Sequence, residues 1–504
     1  MGDWKAMSAK SILGRKTNSR WSKVLLSSVA SVGFVTGASA ADLDTIFTKG
    51  APPVMPDLTW QGMTLIGNID LGGQYESHGV PNNGIMISPQ DMALPSNGGP
   101  KYLLSQNNIA PTFLGIKVDR VINDNFDFIA RFESGFNPQS GNLINGPRAL
   151  QLNNGVPLAQ QTSNGDSSRA GQIFNGEAYF GLDAHQYGRF QVGRNNNVSL
   201  DMFAAYDQNI SGAFSLPGWH GSNLGQGSTE TNKLDDSIKY LNQIGQFRTE
   251  LIYGAPGTDT KQMYQGSLGW VIPQASIDVY AGQSKDSVSL SALSAPANLG
   301  STFLGAKVYD TTGYGIFGKY VFDLSGSGYK DRSGKLTVGV GWDRVDYSNP
   351  SDGGFLPGHA TVGGYIIGPV LSTNGSAASG VLNYAYTGGD RLLDTYFITA
   401  KYQVNTQWSV IGGLYRLTQN YFGSGVNALP GVIAPGYSSV SCSTNAFSNC
   451  RGSENVVSMR VDYDWTKNLK LYFAVAYSKV DGGLAAGYQH TDEWDPTLGM
   501  SFHF

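Results

Sequence analysis

Histidine side chains would bind a metal ion or act in acid–base catalysis, and this sequence scatters its six histidines along the chain. They are His78, His185, His220, His359, His490 and His503. No two have the spacing that places metal ligands on one helix face. The phosphate-binding loop signature and the nucleophile elbow are also missing from the sequence. We therefore expect a protein without enzymatic activity, metal or cofactor.

Two cysteines, Cys442 and Cys450, lie close together in a segment rich in Ser, Asn and Gly. A metal site would need further ligands nearby, and the segment has none. In an exported protein, two such cysteines form a disulfide that closes a loop. We predict this disulfide between Cys442 and Cys450.

The N-terminal forty residues have the order of a secretory signal peptide. Six basic residues precede an apolar segment at 24–35, which ends in Ala38, Ser39 and Ala40. This order predicts cleavage before Ala41, with a short membrane anchor as the alternative and Met7 as an alternative start. Without residues 1–40 the chain has 34 − 6 = 28 basic and 38 − 1 = 37 acidic residues, a net charge of −9. This charge argues against nucleic acid as a partner.

The elements that would position any functional side chain are β-strands with strict alternation. The clearest pair lies at 457–477, where two apolar series flank a polar turn at Thr466, Lys467 and Asn468. The apolar series are Val457, Met459, Val461, Tyr463 and Trp465, then Leu469, Leu471, Phe473, Val475 and Tyr477. Alternation places each series on one face of a hairpin. Taken alone, this hairpin fits a soluble sandwich as well as a membrane barrel with aromatic ends.

The whole chain distinguishes these two architectures. Only 14% of its residues are charged, against about a quarter in soluble proteins. No apolar run after residue 40 is long enough for a spanning helix. Seven short turns alternate with long segments such as 137–173, 196–235, 347–391 and 419–454. With one further strand at each end, the count is sixteen strands of an all-β, antiparallel transmembrane barrel.

Several segments, taken in order, resemble the Gram-negative general porin family over nearly the whole chain after residue 40. They are TLIGNIDLG at 64–72, FLGIK at 113–117, ARFESGFN at 130–137, FNGEAYFGL at 174–182, GRFQVGR at 188–194, SIKY at 237–240 and GMSFHF at 499–504. The resemblance implies a homotrimeric outer-membrane channel whose third long loop, here about 196–235, folds into the lumen.

The family places loop carboxylates opposite wall arginines, and this implies site residues here. On the loop they are Asp201 and Asp207, with the aromatic residues Phe214 and Trp219. The positions that match the family's wall arginines are Phe113, Gly176 and Leu241, none of them basic. Alternation places other charged residues on the same face: Lys117, Arg131, Glu133, Arg189, Arg194 and Lys239. Arg131 and Glu133 are equally explained as a structural ion pair. For the two aspartates the alternative is a role as turn formers.

These observations predict three parts: a signal peptide at 1–40, a leader at 41–61 and a barrel domain at 62–504. We expect a passive channel in the outer membrane for small hydrophilic solutes and ions, with a cation preference from its acidic charge. One alternative is a channel selective for sugars or aromatic compounds through Phe214 and Trp219. An outer-membrane enzyme or a secreted β-rich adhesin is another.

Overall fold

Sixteen β-strands form the wall of a closed antiparallel barrel, which confirms the predicted fold and strand count. The computed structural model describes residues 58–78, 100–139, 141, 143, 173–209, 214–217, 233–255, 262–293, 303–326, 328, 333–348, 361–362, 365–366, 381–384, 389–422, 450–485 and 490–504. The predicted signal peptide and most of the predicted leader lie outside these residues, as do Trp219 and Cys442.

In chain order the wall strands are β1 Met63–Glu76, β2 Phe113–Asn123, β3 Phe126–Gly135, β4 Ala178–Asp183, β5 Arg189–Asn196, β6 Lys233–Ile244, β7 Phe247–Gly254, β8 Gln262–Val271, β9 Ala275–Leu293, β10 Phe303–Asp323, β11 Lys335–Ser348, β12 Arg391–Gln403, β13 Trp408–Gln419, β14 Gly452–Asp464, β15 Leu469–Gly482 and β16 Thr497–His503. Each pairs with the next, and β16 pairs with β1 to close the wall. The described residues also include the α-helix α1 Val198–Tyr206, helical residues at 216–217, and 3-10 turns at His185–Tyr187 and Gly483–Ala485.

Two wall strands, β2 and β16, are each preceded by a short strand that lies in line with them across a break in the strand. Lys101–Gln106 continues the line of β2 and pairs with residues 71–76 of β1. Asp492–Trp494 likewise precedes β16 and pairs with β15. The remaining short strands are Thr59–Trp60, Thr361–Val362, Tyr365–Ile366 and Val381–Tyr384.

Alternation gives the wall an apolar outer face and a polar inner face. On the hairpin β14–β15, Val457, Met459 and Phe473 are each at least half exposed, whereas Ser458 and Arg460 between them are buried. The inner side chains are covered by one another and by α1, so the polar series is the less exposed one. Among the described residues, no helix is long and apolar enough to span a bilayer.

Two bands of exposed aromatic residues lie on the outer face, one near the short turns and the other near the long loops. The band near the turns includes Phe247, Trp270, Tyr320, Tyr402 and Trp408, and the band near the loops includes Tyr253, Tyr264, Tyr314 and Tyr396. Aliphatic side chains such as Leu251, Leu268 and Ile398 lie between the bands. Amphipathic rings at both edges of an apolar belt are typical of a barrel that spans a membrane.

A buried carboxylate joins the two ends of the barrel wall. Asp70 on β1 accepts backbone N–H bonds of 2.8 and 2.9 Å from Ile109 and Ala110, in the break before β2. Its other oxygen accepts a 2.6 Å bond from the Tyr472 hydroxyl on β15. Asn108 in turn donates to the Tyr472 oxygen. Residues from β1, from β15 and from the break before β2 therefore meet at this one carboxylate.

Candidate functional site

Helix α1 follows β5 in the third long segment, and its start is fixed by a local cap. The Asn197 side chain accepts a hydrogen bond from the backbone N–H of Leu200, and the Ser199 hydroxyl donates to the same oxygen. Asp201 lies in the first turn, where the helix dipole favours a negative charge. The helix buries one face through its side chains Val198, Ser199, Met202, Phe203 and Tyr206.

An ionic cluster holds the N-terminal end of α1 against β6 and β7. Lys239 on β6 is almost fully buried between two carboxylates, with its Nζ bonded to Asp201 and 2.7 Å from Glu250. The same ammonium donates to the carbonyl of Asn196. On β8, Gln265 accepts the N–H of Val198 at 2.7 Å. This end of the helix therefore depends on one buried positive charge shared by two acids.

The middle of α1 packs on an aromatic patch of the inner wall. The Phe203 ring meets Phe317 of β10 edge-on, with ring centroids 5.0 Å apart, and lies 5.8 Å from Phe397 of β12. Gly339 on β11 lets the helix backbone approach the wall, because a Cβ at this position would lie 1.9 Å from the carbonyl oxygen of Tyr206. The close contact therefore requires a glycine at this position.

Hydrogen bonds to several strands hold the C-terminal end of α1. The Tyr206 hydroxyl donates to Asp278 on β9, and Arg248 on β7 bonds to both groups. Lys319 on β10 donates a 2.9 Å bond to the carbonyl of Ala205 and lies over the Tyr206 ring. A cation at a helix C-terminus is favoured by the negative end of the helix dipole.

The residues after α1 continue along the wall to β14. Asp207 accepts bonds from the Ser215 hydroxyl, the Tyr415 hydroxyl at 3.0 Å and the N–H of Asn209. The Asn209 amide donates 2.7 Å to Ser458, and its carbonyl accepts a bond from Arg460. Residues 197–209 therefore contact the inner face from β6 to β14. The course of 210–213 and 218–232 lies outside the described residues, so inward folding of the whole loop stays a prediction.

The two loop carboxyl groups have opposite pKa shifts. Burial alone would raise the pKa of Asp201, but the charge and hydrogen bond of Lys239 outweigh it and lower the pKa below its usual value. Burial raises the pKa of Asp207, and the bonds from Ser215, Asn209 and Tyr415 only partly offset it. Asp201 therefore loses its proton at a lower pH than an ordinary aspartate, and Asp207 at a higher pH.

Five of the six predicted wall residues, all except Lys117, are paired with neighbours, and the pairs of Lys239 are described above. Arg131 donates a 2.7 Å bond to Glu133 and lies 3.3 Å from Glu177. Arg194 bonds to Asp235 at 2.7 Å and to the carbonyls of Asn175 and Gly176, while Arg189 bonds to Asp183. Lys117 is half-buried and makes no hydrogen bond or ion pair within the part of the chain that the structure describes. The structure thus brings Arg131 and Glu133 together, and Lys239 and Asp201, but spreads the other wall residues around the barrel.

Two further predictions on the loops concern residues that are only partly described. Phe214 has no exposed surface, and Trp219 lies outside the described residues. Cys450 is buried, but Cys442 also lies outside them. The selective channel through Phe214 and Trp219 and the disulfide between Cys442 and Cys450 both stay predictions.

Sequence reasoning missed the residues that hold the C-terminal end of the helix, namely Tyr206, Arg248, Asp278, Lys319, Tyr415 and Arg460. Alternation gives no information on which side chain of a distant strand meets a given loop residue, because it is a property of each strand by itself.

The profile of the Gram-negative porin family matches residues 27–483. Comparison with curated protein sequences gives no match. The fold is similar to an anion-selective porin from Comamonas acidovorans, at 13% identity and a TM-score of 0.54, with 88% of this chain and 99% of that chain covered.

Two other structures are more distant in fold. The outer-membrane-expressed OmpT of Vibrio cholerae has 12% identity and a TM-score of 0.49, with 89% of this chain and all of that chain covered. The OmpF complex with daunomycin from Salmonella typhi has 12% identity and a TM-score of 0.45, with 88% and 97% covered. The family profile spans most of the barrel described above, and the chain belongs to the Gram-negative porin family of outer-membrane channel proteins.

Proposed function

We propose that the protein is a homotrimeric channel for passive diffusion of small hydrophilic solutes and ions across the outer membrane. The observation that carries this proposal is a closed wall of sixteen strands with an apolar outside and a polar inside. A barrel of this size leaves an aqueous lumen rather than a packed core. Lipid contacts the apolar belt between the two aromatic bands, and transport requires no energy source or catalytic group.

In this proposal the segment 197–217 narrows the lumen from one side. Its described part packs on the wall from β6 to β14 through Lys239, Tyr206 and Asn209. The passage for solutes then lies against the remaining wall, where Arg131 and Glu133 are located. Fixed charges at such a narrowing select among solutes by sign and size.

The proposed cation preference rests on the excess of acidic residues after removal of the signal peptide. Changing Asp201 or Asp207 to Asn should shift the reversal potential in a KCl gradient toward anions if these carboxyl groups line the passage. Unchanged reversal potentials in both variants would show that the two aspartates do not line the passage and only hold α1 in place.

Planar-bilayer recording tests the channel itself. Purified, folded protein should insert and give stepwise, ohmic conductance. A neutral sugar that fits the lumen should also enter liposomes into which the protein has been inserted. A heat-unfolded sample of the same protein is the matched control and should be silent. Repeated insertions of folded protein without conductance would refute the proposal.

A further inference from the structure

Three cations lie on alternate wall strands near the C-terminal end of α1 and the residues 207–209 that follow it. They are Lys319 on β10, Lys401 on β12 and Arg460 on β14, all in the inward-facing series of their strands. Pairing through β13 aligns Lys401 and Arg460 with Ile411, so their Cα atoms are two strands apart, roughly 10 Å. Across β11, Lys319 aligns through Gly339 with Thr399, two residues before Lys401.

The two outer cations, Lys319 and Arg460, donate hydrogen bonds to backbone carbonyls of α1 and of the residues after it. Lys319 donates a 2.9 Å bond to the carbonyl of Ala205, and Arg460 donates a 3.2 Å bond to the carbonyl of Asn209. The middle cation, Lys401, is half-buried and makes no hydrogen bond or ion pair with any other residue in the described ranges. Its ammonium therefore lies between two cations whose partners are already assigned.

Nearby carboxylates do not neutralise Lys401. Asp462 accepts bonds from Arg460 at 2.9 Å and from Lys470 at 3.4 Å. Asp464 pairs with Lys470 at 2.8 Å. On the other side, Asp278 is bonded to Arg248 and to Tyr206 rather than to Lys319. The two acids Asp462 and Asp464 and the two bases Arg460 and Lys470 have a total charge of zero. The charges of Lys401 and Lys319 therefore make this part of the wall positive.

Hydroxyl donors flank the free ammonium. Thr399 precedes Lys401 by two residues on the same face, and its oxygen already accepts the N–H of Gln208 at 3.0 Å. Its own O–H hydrogen is therefore left to donate. Thr337 lies directly opposite Lys401 on β11. An ammonium with two adjacent hydroxyl groups matches the oxygen atoms of a small oxyanion.

We propose that Lys401, Thr399 and Thr337 form a binding subsite for small oxyanions, carboxylates or phosphates, beneath the segment that follows α1. The subsite rests on the proposed diffusion function, in which such solutes reach this part of the lumen. The subsite is a local group of three residues. The channel can therefore prefer cations overall and still bind oxyanions at this one place.

Binding is tested apart from conduction by the ³¹P NMR line width of inorganic phosphate with detergent-solubilised protein. Phosphate should broaden in a saturable manner, and succinate should compete because it offers the same oxygen chemistry. Lys401→Gln should weaken binding about tenfold, as loss of one partly desolvated charge predicts. Lys401→Arg keeps the charge and should retain most of the affinity.

Two control variants remove a lysine elsewhere. Lys479→Gln removes an exposed charge from the outer face, and Lys117→Gln removes an inward-facing lysine on β2. Both should bind phosphate as the wild type does. Equal weakening in Lys117→Gln, unchanged binding in Lys401→Gln, or no broadening by the wild type would each overturn the subsite. Bilayer recordings of the same samples show separately whether the channel conducts.

Discussion

Asp201 and Asp207 are the same residue type, six positions apart at the two ends of α1, yet their surroundings differ. Asp201 lies in the first turn, where the helix dipole and a buried lysine both favour its negative charge. Asp207 follows the last turn, where the dipole opposes a negative charge and hydroxyl groups supply its bonds. Asp201 is therefore held by an ion pair, whereas Asp207 is held by hydrogen bonds from hydroxyl and backbone groups.

The largest expected effect concerns the ionic end. Lys239→Met leaves Asp201 and Glu250 together in a buried site without their cation, which should destabilise the protein by about 3–5 kcal/mol. Thermal unfolding in detergent, followed by circular dichroism, measures this loss. Lys117→Gln removes a lysine from the same inner face without a described partner and should leave the midpoint nearly unchanged. A similar midpoint for both variants would contradict the ion-pair interpretation.

A backbone contact near the other end gives the next largest effect. Gly339→Ala places a methyl group against the Tyr206 carbonyl oxygen and should cost about 1–3 kcal/mol through overpacking. The helix end should also move away from the wall, which a cysteine-reactive label or a spin label at Gln208 would report. Gly412→Ala is the matched control, because its nearest neighbour would be 3.7 Å away. Equal stability of the two variants would show that α1 does not need this approach.

Removal of one hydroxyl group tests the hydrogen-bonded end more gently. Tyr415→Phe deletes the 3.0 Å bond to Asp207 but keeps the ring in its place. The expected loss is about 1 kcal/mol in the free energy of unfolding, because Ser215 and the Asn209 N–H still bond to the carboxyl group. A loss as large as that of Lys239→Met would remove the distinction between the two ends.

The pH dependence of stability should have opposite signs at the two ends. The folded-state pKa of Asp201 is lowered, so its contribution is present above the unfolded pKa and is lost as pH falls through the folded pKa. The folded-state pKa of Asp207 is raised, so its contribution is greatest below the unfolded pKa and is lost as pH rises through the folded pKa.

Unfolding midpoints recorded between about pH 3 and pH 8 measure these contributions. Asp201→Asn should reduce the acid-induced loss, and Asp207→Asn should reduce the loss on raising the pH. Wild-type and both variant curves of the same shape would contradict the opposite assignment of the two groups.

The wall was predictable from sequence because alternation is a local property. Val457, Met459 and Phe473 identify an apolar face, and the turn at Thr466, Lys467 and Asn468 fixes the register of the hairpin. The strand count followed from the same rule. The contacts of Asp207 with Tyr415 and of Asn209 with Ser458 were not predictable, because they join segments more than 200 residues apart. The roles assigned to the wall residues came from family resemblance, and those roles stay predictions.

The carboxylate of Asp70 has a consequence for how the barrel is made. Its partner Tyr472 is 402 residues later in the chain, and β16, which pairs with β1, comes later still. A ribosome has therefore synthesised almost the entire polypeptide before the seam can be sealed. Until then β1 presents an unpaired edge that associates readily with other strands, so the nascent protein needs protection from aggregation throughout its export.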